Sequence, residues 1–369
     1  MANRPKVLLL IPHLGGGGAE QVTALLAWGL SRQKYELHLG LVTQADVNAE
    51  AVAPWVPIHA LGARRVRSAG FKLLRLIRRV KPDVILSSMA HLNFLVLLLR
   101  PFLPQATRVL VRQNGTASAA LAFGDLPAFT RPLYWLLYRH ADRVLCQTRA
   151  MADDLARDFG MAETRLAVLP NPVAVDEIRE AVSKSPSRWS GPGPHLLAVG
   201  RLAPVKGFDL LLQAFAVVRG DFPDADLAIV GAGAEEADLK ALCRELALDA
   251  AVRFTGYVHS PSAYFPGASL YVLSSRHEGL PNALLEAAAG GLPLVCPPAS
   301  GGLSELLHGQ PGCWLATEIS ARALAESLIE ALQVLEPEQR FAHAWIEPFR
   351  MENAIHAYEK LIDATLGGK

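Results

Sequence analysis

Glu278 and Glu286 stand eight residues apart in the stretch Ser274-Ser275-Arg276-His277-Glu278-Gly279-Leu280-Pro281-Asn282-Ala283-Leu284-Leu285-Glu286. The apolar run Leu270–Leu273 before it reads as a buried parallel strand. Pro281 suits the first position of a helix, and an Ala/Leu-rich run follows. Leu280, just before, has no side-chain oxygen to cap the first amides. The N–H groups of Asn282, Ala283 and Leu284 are therefore expected to serve as an anion seat. Two carboxylates beside such a seat repel an anion unless they hold its hydroxyls. A diphosphate with a sugar at one end and a ribose at the other meets that condition. Arg201 and Lys206 lie five residues apart on the turn after a second strand, Leu196–Val199. A guanidinium and an ammonium at a strand's carboxyl edge suit a diphosphate leaving group. The plainer readings are a surface turn with solvated glutamates and two surface cations.

Glu-Gly-Leu-Pro-Asn-Ala-Leu-Leu-Glu-Ala, placed after a strand, resembles the paired-glutamate signature of retaining GT-B glycosyltransferases of the family 4 type. Gly200-Arg201-Leu202 with Lys206-Gly207 resembles that family's diphosphate clamp, and Gly17-Gly18-Ala19-Glu20 its donor-facing loop. The resemblance covers the whole chain, strongest over 196–312 and weakest over 43–140. It implies an α/β fold of two Rossmann-like domains facing a cleft, with a C-terminal helix crossing back to the first domain. It also implies that Glu286 holds the ribose and Glu278 the sugar hydroxyls. Gly16, Gly17, Pro281, Asn282, Ala283 and Leu284 are expected to face the donor, and the resemblance makes Tyr257 and Val258 candidate contacts to its base. His91 is the match for a first-domain histidine that reaches the transferred sugar. By the same resemblance the leaving phosphate itself is expected to take the acceptor proton, so no general base is named.

With 369 residues, two domains of ordinary size are expected. The net charge of +1 hides an asymmetry. Residues 1–190 carry 24 Lys and Arg against 14 Asp and Glu, and residues 191–369 carry 12 against 21. A basic half joined to an acidic half suggests that the first half faces something anionic. Cys146, Cys243, Cys296 and Cys313 are scattered without a CxxC or a Cys/His cluster, which reads as reduced thiols rather than zinc or a disulfide frame. Neither a signal peptide nor a membrane span is expected, since Val7–Ile11 and Leu92–Leu99 are both too short. A cytoplasmic location, peripheral on the inner face of the membrane, is expected.

The elements that position these groups follow one rhythm. Strand Lys6–Ile11, glycines 15–18 and helix Ala19–Arg32 form the first Rossmann-like unit. The glycines do not spell GxGxxG, and no acid ends the second strand, Leu37–Val42, so a nicotinamide site is poorly supported. Ala63–Lys81 reads as a basic amphipathic helix carrying Arg64, Arg65, Arg67, Lys72, Arg75, Arg78 and Arg79 with no acid. Such a helix favours an anionic membrane surface, or it is an ordinary helix with a solvated basic face. Nucleic acid is disfavoured, because no aromatic stacking platform accompanies the charge. His91 follows strand Asp83–Ser88 at the carboxyl edge of the sheet, where ligands bind in such folds. Arg112 and Asn114 end strand Arg108–Val111 at the same edge and are candidate acceptor or sugar contacts. Strands Val144–Cys146 and Leu166–Leu169 complete the half, and Pro170-Asn171-Pro172 breaks the last of them.

The Ser/Pro/Gly-rich stretch 183–194 reads as a linker between a first domain, 1–182, and a second, 195–347. The second carries strands Leu196–Val199, Asp226–Val230, Val252–Phe254, Leu270–Leu273 and Leu294–Cys296, and Gly301-Gly302 opens a helix near the site. Residues 348–369 form the terminal helix. The expected activity is retaining transfer of a sugar from a nucleotide diphosphate donor. UDP-hexose or UDP-N-acetylhexosamine is favoured, with GDP-mannose possible. The acceptor is expected to be a lipid-linked glycan or oligosaccharide at the inner face of the cytoplasmic membrane. No cofactor or metal is expected, because the cations can take a metal's place. The alternatives are a nucleotide-sugar epimerase on the same fold and a non-catalytic membrane scaffold.

Overall fold

The computed structural model describes residues 4–43, 52–299 and 302–367. The chain forms two compact units, one running to Pro172 and resuming at Met351, the other spanning Val173–Arg350.

In the first unit the order is β1 (Lys6–Ile11), α1 (Gly18–Gly29), β2 (Glu36–Leu41), β3 (Ile58–Ala60), α2 (Gly70–Val80), β4 (Val84–Ser88) and α3 (Ala90–Leu98). Then come β5 (Arg108–Arg112), α4 (Ala117–Ala122), α5 (Arg131–Leu137), β6 (Arg143–Cys146), α6 (Arg149–Phe159) and β7 (Leu166–Val168). The strands pair in parallel in the order β3-β2-β1-β4-β5-β6-β7. Parallel sheets are covered on both faces, so their strands need apolar residues at every position. In β1, Val7, Leu9 and Ile11 join the core on one face, while Leu8 and Leu10 join the core on the other.

The second unit repeats the plan with α7 (Val175–Lys184), β8 (His195–Val199), α8 (Phe208–Asp221), β9 (Asp226–Val230), α9 (Glu236–Glu245), β10 (Val252–Phe254) and β11 (Leu270–Val272). It ends with α10 (Asn282–Ala289), β12 (Leu294–Cys296), α11 (Leu303–Leu307), β13 (Cys313–Leu315) and α12 (Ala321–Val334). Its six parallel strands are ordered β10-β9-β8-β11-β12-β13. In each sheet the order of strands reverses once, between β1 and β4 and between β8 and β11. The crevice at the carboxyl end of such a reversal is where open α/β sheets bind ligands.

The last helix, α13 (Met351–Gly367), belongs to the first unit. It buries Ile355, Tyr358 and Ile362 in the same core as β1 and α1. Glu359 accepts from the Ser31 amide at 2.9 Å and pairs with Lys34 at 2.5 Å. Tyr35 donates its hydroxyl to Asp363 at 2.6 Å.

Two expected boundaries change. The stretch 183–194 is not a free tether: Trp189 donates to the Tyr264 carbonyl at 2.9 Å and stacks on His195. With Val175 of α7 in the second unit's core, the chain passes between units at Pro172 and Val173, after the Pro-Asn-Pro break, and returns after Arg350. The basic segment is also not one helix from 63 to 81. Only Gly70–Val80 is α-helical, preceded by a short 3₁₀ turn at Val66–Ser68. Ser68 turns its hydroxyl back onto the Arg65 carbonyl at 2.8 Å, and Gly70 has low helix propensity, so the pattern breaks there. Arg64, Arg65 and Arg67 therefore lie before α2. They are exposed, as are Lys72, Arg75, Arg78 and Arg79. Leu73, Leu76, Ile77 and Val80 form the buried stripe. Gly301 lies outside the described residues. No helix among the described residues is long and apolar enough to cross a membrane.

Candidate active site

In the second unit four loops leave the carboxyl edge side by side. The Gly200 amide donates to Val230 at 3.0 Å and that of Leu202 to Ala232 at 3.1 Å, joining the loops after β8 and β9. The Gly231 amide donates to Gly256 at 2.9 Å and adds the loop after β10. The Arg276 amide donates to Val205 at 2.8 Å and brings in the loop after β11. The candidate cations and acids thus gather on either side of the strand reversal.

Lys206 ends a 3₁₀ turn, Pro204–Lys206, and Gly207 follows in the left-handed region at φ 61°. A Cβ on Gly207 would sit 2.2 Å from the Ser274 carbonyl oxygen, so only glycine allows the two loops to close. That closure places Lys206 Nζ 2.5 Å from Glu278 Oε1. The same carboxylate oxygen accepts from the Ser275 hydroxyl at 2.6 Å. The Lys206 and Glu278 side chains keep 24% and 12% of their surface exposed, so the pair is sheltered yet reachable. Arg201, in contrast, is exposed and has no hydrogen bond or ion pair among the described residues. Glu286 lies inside α10 and is buried. Beneath these acids is the fully buried Tyr271 of β11. Burial first, then the charges of Glu278 and Glu286, raise its pKa well above the usual phenol range. Among the described residues its hydroxyl has no hydrogen-bond partner.

The start of α10 differs from expectation. Pro281 is the N-cap, with extended backbone (ψ 117°), and Asn282 is the first helical residue. The Pro281 carbonyl accepts from both Leu284 and Leu285, each at 3.2 Å. A shared carbonyl of this kind is common at helix ends. The Leu284 amide is therefore committed to the helix and does not belong to an anion seat. Asn282 and Ala283 occupy the first turn, half-buried, and among the described residues no side chain caps the Pro281 end. Tyr257 is 59% exposed on the β10 loop, and Val258 is half-buried against the core.

In the first unit the reversal between β1 and β4 gathers the glycine loop and two histidines. Gly16 has φ 86°, a left-handed conformation that favours glycine. Gly17 is the exposed N-cap of α1. His13 Nδ1 accepts from the Gly15 amide at 3.2 Å and lies 3.3 Å from Glu20 Oε1. His91 follows Met89, a non-glycine residue at φ 77°. Such strain at a sheet's binding edge accompanies functional turns. Desolvation, with His13 nearby, holds the His91 pKa below the usual imidazole value.

Arg112 is not a surface contact. It is buried, donates to Asn171 Oδ1 at 2.6 Å and pairs with Asn114 Oδ1. Asn93, Gln113, Tyr134 and Tyr138 extend the same network, the Asn93 amide donating to the Arg112 carbonyl at 3.0 Å. Neither this network nor Ser275 is anticipated from the sequence alone. The signal for Ser275 was its place three residues before Glu278, within reach of a turn. Among the described residues no cluster of His, Cys, Asp and Glu is arranged to hold a metal.

Two family descriptions match the chain: Glycosyltransferase Family 4 over residues 16–177 and Glycosyl transferases group 1 over residues 193–334. An uncharacterized glycosyltransferase of Haemophilus influenzae is 32% identical over 172 residues, 47% of this chain and 48% of its own, so the chain aligns with about half of that relative. The N-acetylgalactosamine-N,N'-diacetylbacillosaminyl-diphospho-undecaprenol 4-alpha-N-acetylgalactosaminyltransferase of Campylobacter jejuni is 26% identical over 352 residues, 92% of both chains. Among solved structures, Anabaena HepE in complex with UDP superposes with a TM-score of 0.77 at 17% identity, covering 97% of this chain and 100% of that one. That likeness shows a shared fold.

Proposed function

Because the chain belongs to the family 4 type of GT-B glycosyltransferases, we propose that it moves a sugar, with retention, from a nucleotide diphosphate to a lipid-linked glycan. The reading rests on one observation above all: the Lys206–Glu278 pair at the strand reversal of the second unit, with Arg201 uncommitted on the same loop. In the reaction the bond from the anomeric carbon to the diphosphate oxygen breaks, and a bond to the acceptor oxygen forms. The acceptor proton leaves with the nucleoside diphosphate. Lys206 and Arg201 stabilise the charge that grows on the departing diphosphate, an effect strongest when the charges are fixed in advance. Glu278, displaced from Lys206 by the phosphates, accepts from sugar hydroxyls, and Glu286 accepts from the ribose. With cations in this role transfer needs no metal, and activity is expected to survive EDTA; a rate restored only by added divalent cation would contradict this.

A UDP-linked hexose or N-acetylhexosamine is the favoured donor, supported by the UDP in the HepE structure and the sugar named for the Campylobacter relative. The same relative's diphospho-undecaprenol acceptor supports a polyprenyl-linked substrate and a place in surface glycan assembly. The exposed cations of residues 64–79, with Phe71 79% exposed among them, suit docking on an anionic membrane face. The test is to incubate the protein with UDP-sugars, with and without an undecaprenyl-diphosphate glycan. Acceptor-dependent release of UDP with a lengthened glycan supports the reading. Isomerised donor without release would point to an epimerase instead.

A further inference from the structure

Arg276 is two residues from Glu278, and its type invites a role as a direct phosphate ligand. Its contacts lie elsewhere. The guanidinium forms a two-pronged pair with Asp209 at the start of α8, Nη1 to Oδ1 at 2.8 Å and Nη2 to Oδ2 at 2.6 Å. Nη1 also donates to the Pro204 carbonyl at 2.6 Å. The Arg276 amide donates to the Val205 carbonyl at 2.8 Å, and the Ser274 hydroxyl donates to the Lys206 carbonyl at 2.8 Å. Three consecutive carbonyls of the lysine turn are thus each held by Ser274 or Arg276. Asp209 anchors the arrangement to the first turn of α8, where a carboxylate also suits the helix dipole. Planar, two-pronged geometry of this kind fixes orientation in a way a single ammonium cannot.

We propose that Arg276 and Asp209 are a positioning pair: they lock the Pro204–Lys206 turn onto the glutamate loop, so that Lys206 meets the donor diphosphate at a fixed place. The proposal rests on the donor reading above. Desolvation raises the Asp209 pKa, but the hydrogen bond and charge of Arg276 outweigh it and keep the carboxyl below its ordinary value, ionised in its role.

The test compares wild type, Arg276→Lys, Arg276→Gln, Asp209→Asn and the Arg276→Gln/Asp209→Asn double variant. Each is titrated with the nucleoside diphosphate that the wild type binds, UDP or GDP, and with the matching nucleoside. Melting temperature shows that each variant is folded. Both single losses are expected to weaken the diphosphate by about tenfold, the scale of one misplaced charge-assisted contact, and to leave the nucleoside unchanged. The double variant is expected to be no worse than either single one, because one interaction is lost each time. Arg276→Lys is expected to fall between. A loss with Arg276→Gln but none with Asp209→Asn would overturn the proposal and make Arg276 a direct ligand. Unchanged diphosphate binding in all variants would overturn it too, leaving the donor reading intact. Absence of diphosphate binding in wild type would instead overturn the donor reading, and this proposal with it.

Discussion

Lys206 and Glu278 face each other at 2.5 Å, and on the proposed reading each holds the other in the position that a nucleotide sugar needs. On that reading a diphosphate competes with Glu278 for the ammonium and frees the carboxylate to accept hydroxyls. The sequence showed these residue types and their spacing, and cations beside two acids at the carboxyl edge of one sheet were legible from it. The ion pair between them was not, because it depends on Gly207 and Ser274 closing the two loops, a contact between residues 67 positions apart in the chain. His91 carries a pH consequence. Desolvation first, then His13, holds its pKa below 6.5. Between that lowered value and 6.5 the unfolded chain binds a proton that the folded chain does not, so this residue's contribution to stability falls as pH drops. His91→Gln is expected to flatten the wild type's loss of stability between about pH 7 and 5. Melting curves across that range check it, and parallel slopes for the two proteins would contradict it.

Among the elements, apolar strands and the alternation of strand with helix were readable because every strand of a covered parallel sheet must be apolar on both faces. β3 and β13 escaped notice: each is a three-residue edge strand, Ile58–Ala60 and Cys313–Leu315, too short to show a period. The basic segment misled in a different way. Its apolar spacing continues through Val66, yet Ser68 and Gly70 end the regular helix on that side. What remains is α2 with Arg75, Arg78 and Arg79 exposed, after a bend that bears Arg64 and Arg65 and a 3₁₀ turn that bears Arg67. If this surface meets anionic lipid at about 1 kcal/mol per cation, Arg75→Glu with Arg78→Glu is expected to lower co-sedimentation with phosphatidylglycerol vesicles by more than tenfold at low salt. The melting temperature is expected to stay within a degree or two, since neither residue is in the core. Equal sedimentation of both proteins would remove the membrane from the account.

At the scale of the whole molecule, two Rossmann-like units were legible as a repeated rhythm; the return of the terminal helix to the first unit came only from the family resemblance, because apolar spacing does not say where a helix packs. The exact passage between units was not, because a Ser/Pro/Gly-rich composition says nothing of Trp189 docking on Tyr264 and His195. The returning helix makes the first unit depend on the last residues of the chain. Tyr358→Ala empties a fully buried ring site in that unit's core and is expected to cost about 3–5 kcal/mol, read by urea unfolding. A cost below about 1 kcal/mol would mean that α13 adds little to the first unit's stability.

The second unit's carboxyl edge is where the account stands or falls, and one comparison reaches it most directly. Wild type and Lys206→Ala are titrated by calorimetry with UDP and with uridine, or with GDP and guanosine if that base is preferred. The account requires the variant to lose about tenfold or more in affinity for the diphosphate while holding the nucleoside as wild type does. Equal losses for both ligands, or no loss for either, would contradict it.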